Sequence, residues 1–83
     1  MPLEIILSNL AAEELAEIEE PLFSQIIDRI KLLTKYPYLA PPMDGPFTGC
    51  RVLTVGIFRI IYRLVPRRIE ILYIRHCRRK LGI

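Results

Sequence analysis

An α+β fold is the architecture this chain of 83 residues predicts: one strand, two helices, then three strands, ordered β-α-α-β-β-β. The helical hairpin is expected to pack on one face of a small, mainly antiparallel, twisted sheet. Three observations carry this. A short apolar run opens the chain. Two stretches with helical periodicity follow it, and three runs rich in β-branched residues close the sequence after a segment full of proline and glycine. There is no repeat, low-complexity tract or linker, so residues 1–83 read as a single domain.

Leu3 to Leu7, with Ile5 and Ile6 at its centre, is long enough for one strand. Ser8 stops it and can cap a helix, because its hydroxyl accepts from a free N–H of the first turn. Ala11, Leu15, Ile18 and Leu22 then recur on one face, with Glu13, Glu14, Glu17 and Glu20 on the other. Pro21 interrupts this pattern and fits the first turn of a second helix, where its missing N–H costs nothing. That helix carries Phe23, Ile26, Ile27, Ile30 and Leu33 and is expected to end near Tyr36, since Pro37 disfavours helix just before itself. Residues 37–49 hold Pro37, Pro41, Pro42, Gly45, Pro46 and Gly49 and read as an ordered surface loop. Cys50 to Val55, Ile57 to Val65 and Arg68 to His76 are the remaining strands, with turns at Gly56 and at Pro66-Arg67.

A two-residue turn at Pro66-Arg67 pairs Val65 with Arg68 and fixes the last hairpin. One face then collects Phe58, Ile60, Tyr62 and Leu64 opposite Arg75, Tyr73, Ile71 and Ile69, and should pack on the helices. The other collects Arg59, Ile61 and Arg63 opposite Ile74, Leu72 and Glu70, with His76 diagonal to Arg59. The opposite charges of Arg63 and Glu70 support the register. A slip of one residue would turn Arg59 and Arg63 into the core. The face on which Arg51 lies depends on the length of the turn at Gly56, which stays open.

Charge is sorted along the chain. Residues 1–20 hold six glutamates and no base, whereas residues 51–80 hold eight arginines and Lys80 against one acid, Glu70. The net charge of +3 conceals this. An arginine-rich patch attracts polyanions, and each guanidinium can grip a phosphate at two points. Hydrophobic content of 52% is high for so short a chain and suggests apolar surface that a partner covers. Ile61, Leu72 and Ile74, expected among the arginines, would let an acidic, partly apolar segment bind there. Two cysteines do not make a disulfide scaffold, and a reducing cytoplasm is the simpler setting. One histidine and two separated cysteines match no zinc spacing, so neither a metal nor another cofactor is expected. No apolar run approaches the ~18 residues of a membrane span, and Met1-Pro2-Leu3-Glu4 has no charged leader.

The candidate chemistry lies at one end of the sheet, where Arg59, His76 and Arg78-Arg79-Lys80 are expected to converge. Histidine titrates near neutrality and suits a general acid or base. Arginines beside it could offset charge gained by a phosphate in a transition state. RNA needs little more for cleavage, because its own 2′-hydroxyl can attack the adjacent phosphorus. Cys77 follows His76, but no third group is in view to orient a nucleophile.

The segments Gly49-Cys50-Arg51-Val52-Leu53, Phe58-Arg59-Ile60-Ile61-Tyr62-Arg63 and Ile69 to Arg79, with its His76-Cys77-Arg78-Arg79 ending, resemble the RelE/ParE superfamily of toxins from type II toxin–antitoxin systems. The resemblance spans almost the whole chain. It implies a small prokaryotic, cytoplasmic toxin held inactive in a hetero-oligomer with a cognate antitoxin. RelE-like members cut messenger RNA on the ribosome without a metal, whereas ParE-like members bind DNA gyrase. By position, Arg59 matches the strand arginine that contacts the scissile phosphate. Arg79, or Arg78 before it, matches the basic residue after the last strand, and His76 sits where some members keep a catalytic histidine. Arg51, Arg75, Arg78 and Lys80 are the expected RNA-holding residues. Two departures stand out: no tyrosine follows the last strand, and Arg51 alone represents the paired lysines of some members. The resemblance favours a ribosome-dependent endoribonuclease, with gyrase inhibition as the alternative.

Overall fold

The computed structural model describes residues 3–77. Strand β1 (Glu4–Leu7) is followed by helices α1 (Asn9–Ala16) and α2 (Leu22–Leu32), a 3-10 turn at Gly45–Phe47, and strands β2 (Arg51–Val55), β3 (Phe58–Val65) and β4 (Arg68–His76). The sheet order is β1-β4-β3-β2. β1 runs parallel to β4 and the other neighbours are antiparallel. The expected α+β architecture is the one observed.

Ser8 begins α1 as expected, its hydroxyl accepting from the Ala11 N–H at 3.0 Å. The same hydroxyl donates to the Leu72 carbonyl of β4 at 2.8 Å, so one side chain starts the helix and fixes it to the sheet. Pro21 stands at the cap position of α2 and has no side-chain bond to offer. Glu20 takes that role, accepting from the Ser24 N–H and hydroxyl. The second helix ends earlier than expected, at Leu32 rather than near Tyr36. Its backbone tightens there: Leu33, Thr34 and Lys35 donate to the carbonyls three residues back, and the Thr34 hydroxyl also takes the Lys31 carbonyl. Such i→i−3 bonding uses up the carbonyls that a continuing α-helix needs, before Pro37 is reached.

Ala11 and Leu15 of α1 and Ile26 and Ile30 of α2 pack with Leu33 against the sheet, where they meet Leu53, Val55, Ile60, Tyr62, Ile69, Ile71 and Ile74. Each large aliphatic side chain buried there stabilises the fold by roughly 1.5–3 kcal/mol. Tyr62 is wholly buried and its hydroxyl donates to the Pro37 carbonyl at 2.9 Å. That bond ties the start of the long loop to the core. Farther along the loop, Pro42 bridges Arg51 at the outer side of β2.

The β2–β3 turn is two residues, Gly56 and Ile57, because Val55 pairs with Phe58. Gly56 has φ of +59°, a conformation suited to glycine, and a Cβ there would come within 2.9 Å of the Leu22 side chain.

The β3–β4 hairpin departs from its expected register. From Val65↔Arg68 through Arg63↔Glu70 to Tyr62↔Ile71 the pairing is as the turn dictates. Leu72 is then an extra residue, and the ladder resumes at Ile61↔Tyr73, Ile60↔Ile74, Arg59↔Arg75 and Phe58↔His76. Beyond this bulge every β4 side chain is on the face opposite to the expected one. Ile74 and His76 turn toward the helices, and Tyr73 and Arg75 turn away from them. Ser8 donates its backbone N–H to Ile71 and its hydroxyl to Leu72, clamping the bulge from the β1 side. Past the end of β1, the Glu14 carboxylate of α1 accepts from the Ile74 N–H at 2.7 Å and satisfies the open edge.

Candidate nucleic-acid interface

The bulge determines which cations share a face. On the helix-free side, Arg59 and Arg75 stand directly opposite one another, and both are exposed. Among the described residues the Arg59 side chain makes no hydrogen bond or ion pair. Arg75 is held on two sides: its guanidinium carbon is 4.5 Å from the centre of the Tyr73 ring, and its Nε is 3.4 Å from Glu14. The next pair along this face is Ile61 and Tyr73, and Phe47 meets the Tyr73 ring edge-on at 6.0 Å. Toward the turn, Arg63 donates to Glu70 at 2.6 Å, and Arg68 lies 3.5 Å from the other carboxylate oxygen. The hydrogen bond to Glu70, and then the Glu70 charge, hold the Arg63 guanidinium above its ordinary range. The pairing of Arg63 with Glu70 agrees with the expectation.

His76 does not join Arg59. It pairs with Phe58 on the side facing the helices, the two rings edge-to-face at 5.2 Å, in a cleft of about 480 Å³ lined also by Glu14, Glu17 and Ile18. The expected diagonal of His76 and Arg59 on one face is therefore corrected by the bulge. Arg75 moves the other way, from the expected core face to the arginine face. Tyr73, expected in the core, likewise stands beside it.

Arg51 lies on the helix side, opposite Tyr62. Its Nη1 donates to the Ala40 carbonyl at 2.7 Å, and its guanidinium carbon sits 4.8 Å from the Tyr38 ring centre. This arginine holds the loop down and is not brought to Arg59. Arg78, Arg79 and Lys80 lie outside the described residues. Ile61 and Ile74 are 6% and 3% exposed, so neither offers the apolar contact expected of it among the arginines. Exposed apolar surface lies instead at Ile6, Leu7 and Leu10, and at Leu32, Tyr36, Tyr38 and Leu39.

Sequence reasoning missed that Tyr73 carries the Arg75 guanidinium on its ring and that Phe47 meets that ring. One signal pointed to Tyr73: the unbroken register set Arg75 against the core with no acid beside it, and a bulge removes that conflict. For Phe47, within a loop far from the strand in sequence, no comparable signal exists.

No helix among the described residues is long and apolar enough to cross a membrane. Among curated proteins nothing matches the sequence significantly. Solved structures do match in fold. A chain of the RelBE2 toxin–antitoxin complex from Mycobacterium tuberculosis superposes with a TM-score of 0.81 at 18% identity, covering 92% of this chain and 99% of that one. A chain of the intact RelBE complex from E. coli gives 0.78 at 9% identity over 89% and 95%. One from the chromosomal ParDE system of P. aeruginosa gives 0.72 at 19% identity over 89% and 95%. The sequence itself matches the family described as the ParE toxin of the type II toxin–antitoxin system parDE, over residues 5–81. The chain belongs to that family, and so to the RelE/ParE superfamily of type II toxins.

Proposed function

We propose that this toxin acts on messenger RNA at the ribosome, with Arg59 and Arg75 gripping the backbone at the phosphate to be cleaved. The observation that carries this reading is the pair of exposed arginines directly opposite one another on β3 and β4. Like charges directly opposite in a ladder destabilise it by roughly 0.2–1 kcal/mol. An anion between them turns that cost into binding. Attack by the neighbouring 2′-hydroxyl puts extra negative charge on the phosphate oxygens, and fixed cations at that point lower the barrier. Arg79, by its position in the family pattern, is the proposed third cation. His76 is retained as the proton carrier on one condition: the message must cross the end of β4, because the ring lies on the other side of the sheet from Arg59.

The separation of His76 from Arg59 favours a second reading. A toxin that only binds needs cations but no proton carrier, and a ParE-like toxin directed at DNA gyrase fits that requirement. In both readings a cognate antitoxin neutralises the toxin. The exposed apolar residues around Leu10 and Tyr38 support a protein partner of this kind, since surface of that sort gains from burial.

Single-turnover cleavage of a programmed ribosome tests the first reading. Wild type should cut the message and leave a 2′,3′-cyclic phosphate, with no loss of rate in EDTA. His76→Gln should slow this by roughly 10²–10⁴ if the histidine carries the proton. An intact message, together with inhibited gyrase supercoiling, transfers the case to the second reading.

A further inference from the structure

Among the described residues, Glu14 alone brings a carboxylate to the arginine pair beyond the bulge, and it comes from helix α1 rather than from the sheet. At the start of that helix, Ser8 donates to the Ile71 and Leu72 carbonyls and sets the distance of α1 from β4. Farther along the helix, Glu14 Oε1 accepts from the Ile74 N–H at 2.7 Å. The carboxylate is thereby fixed to backbone, and its other oxygen, Oε2, lies 3.4 Å from the Arg75 Nε. A surface ion pair is usually weak, because two long side chains must be ordered to form it. Here one of the two is already ordered, and the Tyr73 ring, 4.5 Å from the guanidinium carbon, backs the other. A guanidinium has five N–H donors, one on Nε and four on the two Nη atoms. Glu14 takes the Nε side, and no hydrogen bond to a described residue uses the Nη atoms of Arg75. That fork remains for a two-point grip on phosphate. Arg59, directly opposite, repels Arg75, and a carboxylate beside Arg75 offsets the repulsion, so both cations can stay at one anion.

We propose that Glu14 is a positioning residue for Arg75: it holds the guanidinium at Nε and leaves the Nη fork for the phosphate to be cleaved. It touches no substrate itself and acts through Arg75. The role rests on the reading of Arg59 and Arg75 as phosphate ligands. It also gives α1 a part in the chemistry, since a shift of that helix against β4 would move the cation with it.

Single-turnover cleavage of a programmed ribosome at saturating toxin, with Glu14→Gln, Arg75→Ala and the double variant, provides the test. Glutamine keeps an oxygen that can accept from the Ile74 N–H but lacks the charge, so the sheet edge survives while the ion pair goes. Glu14→Gln should cut roughly ten- to hundred-fold more slowly than wild type. In the Arg75→Ala background the same substitution should change the rate by less than about two-fold, because no guanidinium is left to place. An equal loss in both backgrounds would assign Glu14 to the fold alone and overturn the proposal. Faster cleavage by Glu14→Gln would overturn it as well, since the carboxylate would then be withholding Arg75 from the phosphate. Should Glu14→Gln fail to fold by circular dichroism, Arg75→Lys decides, because an ammonium keeps the charge and has no fork. A rate near that of Arg75→Ala supports the placement, and wild-type speed overturns it. Slow cleavage by Arg75→Ala beside an unchanged rate for Glu14→Gln removes the role of Glu14 and leaves the phosphate reading standing. Unchanged cleavage by Arg75→Ala, or a message left intact by wild type, removes that reading and the role of Glu14 with it.

Discussion

In the half of the β3–β4 hairpin next to the turn, Arg63 meets Glu70 at 2.6 Å and Arg68 shares the same carboxylate. In the half beyond Leu72, Arg59 meets Arg75, and the nearest acid, Glu14, reaches only Arg75 and from a helix. Each half sets two arginines against one carboxylate, but Glu70 lies on the sheet and reaches both of its arginines, whereas Glu14 reaches Arg75 and leaves the Arg59 side chain without an acid among the described residues. The same strands run through both, so the difference is not one of composition. It comes from one inserted residue that rotates the end of β4 by one side chain. A bulge separates arginines held by a carboxylate on their own sheet from the Arg59–Arg75 pair, a device common beside binding sites because it re-aims side chains without disturbing the rest of the ladder.

The largest effect should come from removing the bulge. Deleting Leu72 would let the ladder run unbroken with Arg59 still opposite Arg75, while the shortened strand would draw the Ile74 N–H about 3.3 Å out of register with the Glu14 carboxylate. Losing the Ser8–Leu72 bond and the Glu14–Ile74 bond together should cost about 2–4 kcal/mol, a large share of the ~5–15 kcal/mol that holds such a domain together. Denaturant unfolding of the purified chain measures this. A midpoint near that of wild type would mean that neither bond holds the far end of β4 in place.

Toxicity should divide between the two halves. Arg59→Ala should weaken it by roughly 10²–10³ while folding and antitoxin binding survive, since the Arg59 side chain is exposed and bound to no described residue. Arg63→Ala should leave it nearly unchanged. Growth arrest on induction, at matched expression, compares them directly. Equal loss in both variants would deny the far half any special role.

Much of this division was legible in the residues. The β4 boundaries, the Ser8 cap, the Arg63–Glu70 pair and the turn at Pro66-Arg67 each follow from a local rule that nothing distant overrides. The bulge was not legible from hydrophobicity. Leu72, Tyr73 and Ile74 are all apolar, so either register gives the helices an apolar strand to pack against. What decides is the demand of Ser8 and Glu14 for particular β4 backbone groups, and those contacts bridge 64 and 60 residues of sequence. The face of Arg51 needed the turn length at Gly56, and the end of α2 needed the side-chain bond of Thr34. Both are settled by geometry that composition does not encode.

Ser8→Ala tests the clamp itself. It removes an N-cap bond and the bond to the bulge carbonyl together, and should destabilise the fold by about 1–2 kcal/mol. Amide exchange should report where the loss falls: protection at Ile74 and Arg75 should decline more than at Arg63 and Leu64. A uniform decline would show that the two halves are held as one unit.

The smallest effect concerns Tyr62, the last residue paired before the bulge. Burial pushes its phenol above the ordinary range, so the folded protein holds that proton more tightly than the unfolded chain does. A group raised in the folded state contributes fully below its unfolded pKa, ~10 for tyrosine, and its contribution is lost as pH climbs beyond that value. Tyr62→Phe removes both the titration and the hydrogen bond to the Pro37 carbonyl, at a cost near neutrality of about 1 kcal/mol. Wild type should therefore be the more stable protein at pH 8 by that amount, and its advantage should shrink as pH passes 10. Other titrating groups are common to both proteins and cancel in the difference. If the gap between the two unfolding curves stayed constant to pH 11, the Tyr62 hydroxyl would be titrating as it does in water, and the loop would not be sealed onto the hairpin at the point where its register changes.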